Sequence, residues 1–214
     1  MADPTLYIAN KNLSSWSMRP WLVMTHASLP VMEKVIRLDT PSTRGEIMKI
    51  SKAAKVPVLV HDDRTIWDSL AICEYVAEMY RDAKLWPSDT HARAVARSVS
   101  CEMHSGFAEL RHELPMNICG SFPDTKPSDV VLKQIDRIVD SWKTCRKAFG
   151  GDGEFLFGRF SIADAMYAPV VTRFLTYGVK IDSEISTTYM KAIMSLPAMQ
   201  KWIDGAKKEV AEEK

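Results

Sequence analysis

The feature that most constrains the fold of this chain is a change of hydrophobic period partway along it. In roughly the first eighty residues short β-prone runs alternate with helical ones, and past about residue 90 only helical spacing remains. Leu6–Ala9 reads as a strand and Met18–Ala27 as a helix. Lys34–Leu38 is strand-like, with apolar Val35, Ile36 and Leu38, and Thr43–Lys52 reads as a short helix. Val56–Val60 and Thr65–Trp67 are β-prone runs on either side of the turn His61-Asp62-Asp63-Arg64. Ser69–Tyr80 then places Leu70, Cys73, Ala77 and Tyr80 at helical spacing. The order is a βαβ crossover, then a hairpin and a closing helix, which predicts an α/β unit of pattern βαβαββα.

The second half predicts an all-α unit. His91–Leu114 has room for one long helix. Ser128–Phe149 carries Val131, Ile135, Ile138, Val139 and Trp142 on one side. Further helices fit Ile162–Tyr177 and Thr187–Leu196, and a last one starts near Pro197, where a proline's missing N–H does no harm. Asp82–Asp89, with Pro87, reads as the linker. The predicted division is 1–81 for the α/β unit, 82–90 for the linker and 91–214 for the helical unit. The polar run Lys207–Lys214 is expected to fray.

Composition narrows the function classes. At 214 residues the chain can bury a sizeable core, and its net charge of +1 gives no reason to expect a nucleic acid or an anionic membrane as partner. No apolar stretch reaches the length of a membrane span, and Met1-Ala2-Asp3-Pro4 lacks the basic and apolar regions of a signal peptide, so a cytoplasmic location is expected. Cys73, Cys101, Cys119 and Cys145 lie far apart without metal-ligand spacing. They are expected to be reduced and mostly buried, with no metal.

Four short motifs carry chemistry. Asn12-Leu13-Ser14-Ser15-Trp16-Ser17-Met18-Arg19 joins the first strand to the first helix. Hydroxyls placed where first-turn N–H groups converge either cap the helix or help hold an anion. Val56-Pro57 opens a strand, where a cis bond would expose the Val56 backbone for pairing with an extended peptide and a trans bond would simply begin the strand. Asp68-Ser69 opens a helix. It serves as a cap, as a grip on an amino-acid head group, or as both. Ser161-Ile162-Ala163-Asp164 has the form of a capping box and is read as structural.

Taken in this order, the Ser-rich turn, Val56-Pro57, Asp68-Ser69 and Ser161-x-x-Asp164 resemble the cytosolic glutathione transferase superfamily over nearly the whole chain. The run Ser14-Ser15-Trp16-Ser17 is most similar to the zeta class and related serine-type bacterial transferases. The resemblance implies a thioredoxin-like N-terminal domain that binds glutathione, an all-helical C-terminal domain that binds a second, electrophilic substrate, and a homodimer. It implies that Ser14 or Ser15 stabilises the glutathione thiolate, with Ser14 first and Ser15 supporting, and Ser17 capping the helix. Val56 and cis-Pro57 would hold the cysteinyl unit, and Asp68 and Ser69 the γ-glutamyl end. The second-substrate pocket is expected to draw on Leu13, Met103, His104, Phe107 and Arg111. The implied activity is glutathione transfer to a hydrophobic electrophile, as in detoxification. The alternatives are a maleylacetoacetate isomerase-like reaction, a peroxidase or dehalogenase, and a non-catalytic binding module. Two positions depart from the family pattern: Trp16 stands where the zeta motif has Cys, and Asp68 where Glu or Gln is common.

Overall fold

The computed structural model describes Asp3 to Glu212 apart from Asp39. Strands β1 (Thr5–Ile8), β2 (Met32–Val35), β3 (Val58–His61) and β4 (Arg64–Ile66) form one sheet in the order β2-β1-β3-β4. β1 runs parallel to β2, with Leu6 opposite Glu33, and antiparallel to β3, with Leu6 opposite Leu59; β3 and β4 are antiparallel. A parallel pair needs a crossover, and helix α1 (Ser15–His26) provides it. The antiparallel pair β3–β4 needs only a tight turn, in which Asp62 takes a left-handed φ of 54° that Asp tolerates better than most residues. Helices α2 (Thr43–Ile50) and α3 (Ser69–Met79) complete the βαβαββα unit expected from the sequence.

β2 lies two to three residues earlier than the apolar run at Lys34–Leu38 suggests. It is an edge strand exposed along its whole length, so side-chain burial does not mark its paired stretch. Ile36, just past it, is the residue that turns into the core, and its N–H still bonds the Ile8 carbonyl at 2.8 Å. α1 begins three residues before the expected start because Ser14 caps it.

The helical half comprises α4 (Thr90–Ser105), α5 (Ala108–Glu113), α6 (Asp129–Phe149), α7 (Ile162–Thr176), α8 (Glu184–Ser195) and α9 (Pro197–Glu212). The single helix expected over His91–Leu114 is two. Gly106 ends α4, where a Cβ would come within 2.8 Å of the Glu102 carbonyl oxygen, and Phe107 follows with a left-handed φ of 57°. Arg111 then reaches back from α5 to donate to the Gly106 and Met103 carbonyls, which α4 leaves without helical partners. The fraying expected from Lys207 onward does not occur up to Glu212; Glu213 and Lys214 lie outside the described residues.

α7 is the central mast of the molecule. It packs against α1, α4 and α8, and it is buried along nearly its whole length. A helix surrounded on all sides loses its amphipathic stripe, which explains its run of Ala, Val, Met and Tyr. Asp164 anchors its start. One carboxylate oxygen accepts from the Ser161 N–H (2.8 Å) and hydroxyl (2.9 Å), and the other from the Leu156 N–H (3.0 Å). All four cysteines are free; Cys73 and Cys145 are buried, but Cys101 and Cys119 are exposed, which the sequence reading did not expect. No helix among the described residues is long and apolar enough to cross a membrane.

Candidate functional site

A cavity of about 1020 Å³ opens where the N-terminal ends of α1 and α3 face the helical half. Leu13, Ser14, Ser15 and Trp16 form one wall, Val56, Pro57, Asp68 and Ser69 another, and His104, Arg111, Met116 and Arg173 the third. Segments read separately in the sequence thus meet around one space. The Val56–Pro57 bond is cis, the alternative the sequence left open, and so is Trp67–Asp68.

The two adjacent serines differ in their hydrogen bonding. Ser14 is the N-cap of α1: its hydroxyl accepts from the Ser17 N–H at 3.4 Å and donates to the Ser17 hydroxyl at 2.7 Å. Ser17 in turn accepts from the Ala9 N–H at 3.0 Å, tying the helix start to the end of β1. Ser15 accepts from Arg173 at 3.2 Å, and its own proton has no acceptor among the described residues. A hydroxyl that lines a cavity with its proton uncommitted can donate to an anion bound there. The backbone around it adds to that capacity, since first-turn N–H groups and the helix macrodipole both favour negative charge.

Asp68 caps α3 with one oxygen, accepting from the Leu70 and Ala71 N–H groups at 3.2 and 3.4 Å. Its other oxygen lies 2.7 Å from His104 Nε2, across the cavity mouth. Ser69 is 1% exposed and its hydroxyl has no partner, which leaves a polar group at the N-terminus of α3 available to a ligand. The expected grouping of Asp68 with Ser69 holds in position. The contact between Asp68 and His104 was not anticipated.

Of the residues expected to line a second-substrate pocket, Leu13, His104 and Arg111 line this same cavity. Met103 and Phe107 do not: Met103 is wholly buried in the core and Phe107 is 8% exposed. Met103 continues the buried face of α4 that Ala92, Ala96 and Val99 begin, and the break at Gly106 turns Phe107 inward while Arg111, from the next helix, lines the cavity.

The sequence reading missed Arg173. It comes from α7 and is 3% exposed, and it is the one basic residue of that largely apolar helix, which was the available signal. Three arginines gather here. Arg19 and Arg111 lie over the Trp16 ring, at 4.1 and 5.4 Å from its centre, and His104 meets the same ring edge-on at 5.3 Å. Arg19 is fully buried, and none of its side-chain nitrogens has a hydrogen-bond partner. Burial, and then repulsion from Arg173 and Arg111, pulls the Arg19 guanidinium down to about 9; burial and Arg111 pull Arg173 down to about 10. Both values leave the groups cationic at neutral pH. No described carboxylate forms an ion pair with any of the three, so Arg111 and Arg173, which line the cavity, and Arg19, buried behind Trp16, give it positive charge that a bound anion can neutralise.

Comparisons with known proteins address the family and the fold. A probable maleylacetoacetate isomerase of Caenorhabditis elegans is 34% identical over 109 residues, covering 51% of this chain and 50% of that protein. The chloroplastic glutathione S-transferase L2 of Arabidopsis thaliana is 25% identical over 162 residues, covering 74% of this chain and 50% of that protein. The chain thus spans about half the length of these two curated relatives. A glutathione transferase homologue from Burkholderia, solved with bound glutathione, superimposes with a TM-score of 0.72 at 21% identity, covering 97% of this chain and 99% of that one, and shows the shared fold. The family description "Glutathione S-transferase, N-terminal domain" matches residues 13–79, and "Glutathione S-transferase, C-terminal domain" matches 92–205. With both halves matched in order, on a thioredoxin-like sheet followed by a helical half, this chain belongs to the glutathione S-transferase family.

Proposed function

We propose that the protein is a glutathione transferase in which the Ser15 hydroxyl stabilises the thiolate of glutathione bound in this cavity. The observation that carries the reading is the contrast between the serines: Ser14 is committed to Ser17, whereas Ser15 faces the cavity with its proton free. The other walls fit a tripeptide. The unpartnered Ser69 hydroxyl and the α3 N-terminus suit the γ-glutamyl carboxylate, with Asp68 beside them for the ammonium. Val56, ahead of cis-Pro57, offers backbone to the cysteinyl unit, and Arg44 and Lys55 at the far side suit the glycine carboxylate. Residues 1–81 would hold glutathione and 91–214 the second substrate, joined by 82–90. A homodimer and a cytoplasmic location are part of the same proposal.

Bound glutathione supplies a sulfur nucleophile, which forms a thioether with a carbon electrophile as a leaving group departs or as the adjacent carbon takes up a proton. The protein's task is to keep that sulfur ionised. A free thiol titrates near ~8.5, so at neutral pH only a few per cent is thiolate. A hydrogen bond to a charged group contributes about 1.5–3 kcal/mol, and one pKa unit corresponds to about 1.36 kcal/mol. One bond from Ser15 therefore lowers the thiol by roughly one to two units, and the helix terminus adds about 0.3–1 kcal/mol. Serine is too weak a base to take the proton itself; it stabilises the anion once formed.

A second reading is isomerisation of an unsaturated, anionic substrate by reversible addition of the thiolate. Arg111 and Arg173 at the cavity floor favour it, because cations without carboxylate partners suit a substrate that carries carboxylates. The test is glutathione binding measured alongside turnover of a panel of electrophiles, neutral and carboxylated, with the wild type and Ser15→Ala. Turnover that falls at least tenfold in Ser15→Ala supports the reading, and preference for carboxylated substrates selects isomerisation. Tight binding with no turnover of any electrophile points to a binding module instead.

A further inference from the structure

Arg173 holds its guanidinium with unusual completeness for a residue so far from Ser15 in sequence. Its Nε donates to the Leu114 carbonyl at 2.9 Å, one Nη to the Pro169 carbonyl at 3.1 Å, and the other Nη to Ser15 Oγ at 3.2 Å. The two carbonyls fix the plane of the group, so the third edge meets Ser15 from a set direction. This has a consequence for the hydroxyl. An oxygen whose lone pair is engaged by a guanidinium must send its own proton elsewhere, and the open side of Ser15 is the cavity. Without that contact the hydroxyl could rotate and point its lone pairs at a bound sulfur, where they would repel an anion.

The charge acts in the same sense as the geometry. No described carboxylate pairs with Arg173, and Arg19, one helical turn beyond Ser15 on α1, is a second buried cation with no carboxylate or hydrogen-bond partner, stacked on Trp16. A cation in a water-poor site acts on its neighbours with far less screening than one in solvent.

We propose that Arg173 is the positioning residue of this site: it fixes Ser15 as a hydrogen-bond donor and, through it, favours the thiolate of bound glutathione. The inference rests on the assignment of Ser15 above and goes beyond it by naming what makes that serine a donor. Arg173 also ties α7 to the segment around Leu114, so a purely structural role must be told apart from this one.

The experiment is a double-mutant cycle on the full chain, read by the ultraviolet absorbance of the glutathione thiolate as pH is varied in the saturated complex. The proteins are wild type, Arg173→Gln, Arg173→Lys, Ser15→Ala and each Arg173 variant combined with Ser15→Ala. Glutathione affinity and thermal melting accompany each titration. Ser15→Ala is expected to raise the bound thiol pKa by about one to two units. Both Arg173 variants are expected to raise it when Ser15 is present, and to have much less effect when Ser15 is already Ala. Lysine keeps the charge but not the three-edged fork, so Arg173→Lys carries the test if the glutamine variant fails to fold. A shift of equal size in both backgrounds, or a shift with Ser15→Ala and none with either Arg173 variant, overturns the proposal and leaves the Ser15 assignment standing. No shift with Ser15→Ala removes the assignment and the proposal together.

Discussion

Ser14 and Ser15 are adjacent and equally buried, yet the structure gives them different work. Ser14 closes the first turn of α1, so Ser14→Ala should lower the unfolding free energy by about 1 kcal/mol while changing the bound thiol's titration much less than Ser15→Ala does. Chemical denaturation and the thiolate titration, run on the same two variants, check both halves of that statement. Arg19 makes the complementary case. Its guanidinium stacks on Trp16 but has no hydrogen-bond or carboxylate partner, and burying such a charge is costly to the fold, so Arg19→Met should leave stability unchanged or raise it by about 1 kcal/mol. The same change should raise the thiol pKa, because a cation beside the site is lost. A melting temperature that falls by several degrees in Arg19→Met would show that the guanidinium has a stabilising partner role after all. The resemblance read from the sequence puts Ser14 first as the donor with Ser15 in support, and the proposed assignment reverses that order. The reversal depends on Arg173, which lies 158 residues away and is brought to Ser15 only by the packing of α7 on α1.

The elements show where local signals suffice. Caps at Ser14, Asp68, Ser128 and Ser161 begin their helices as residue type suggests, because a cap acts on the backbone a few residues away. The Asp164 box goes further. Removing its carboxylate in Asp164→Ala strands two buried N–H donors, at Leu156 and Ser161, and should cost about 2–5 kcal/mol in chemical denaturation. Burial pushes the Asp164 carboxyl up to about 6, against the pull of its donors. The folded chain therefore holds that proton more tightly than the unfolded chain, whose carboxyl titrates near ~3.9. Its contribution to stability is full below about pH 4 and is lost as pH rises through about 6. Stability measured across that window should fall with pH by about 3 kcal/mol from this group, and Asp164→Asn should abolish that part of the slope. The break between α4 and α5 was less legible. Gly106 marks a weak point in a helix, but whether the chain turns there depends on the burial of Phe107 and on Arg111, which reaches back to the free carbonyls. Met103 was already on the buried face of α4, and the turn sends Phe107 to the core as well.

At the scale of the whole molecule, α9 closes over the N-terminal loop. Glu209 accepts from the backbone N–H of Lys11 at 2.6 Å and of Asn12 at 3.4 Å, and the Trp202 indole donates to the Lys11 carbonyl at 2.9 Å. Lys11 itself bridges to Glu33 at 2.6 Å and packs against Gly205, where a Cβ would meet its side chain at 2.6 Å. The C-terminal helix thus holds the segment that leads into Ser14 and Ser15. Glu209→Ala should weaken glutathione binding without altering the thiol pKa of what is bound, a split that calorimetry and the thiolate titration resolve. The order of elements was readable because hydrophobic period reports each element's local environment. The cavity was readable only in part, since its walls come from α1, α2, α3, α4, α5 and α7 and the loops between them and meet through tertiary packing. The most direct test of the account is the pH titration of the thiolate in saturated glutathione complexes of the wild type, Ser14→Ala and Ser15→Ala. The account predicts a wild-type thiol well below ~8.5, a return of about one to two units toward that value in Ser15→Ala, and a smaller change in Ser14→Ala. A larger shift in Ser14→Ala than in Ser15→Ala, or none in either, would contradict it.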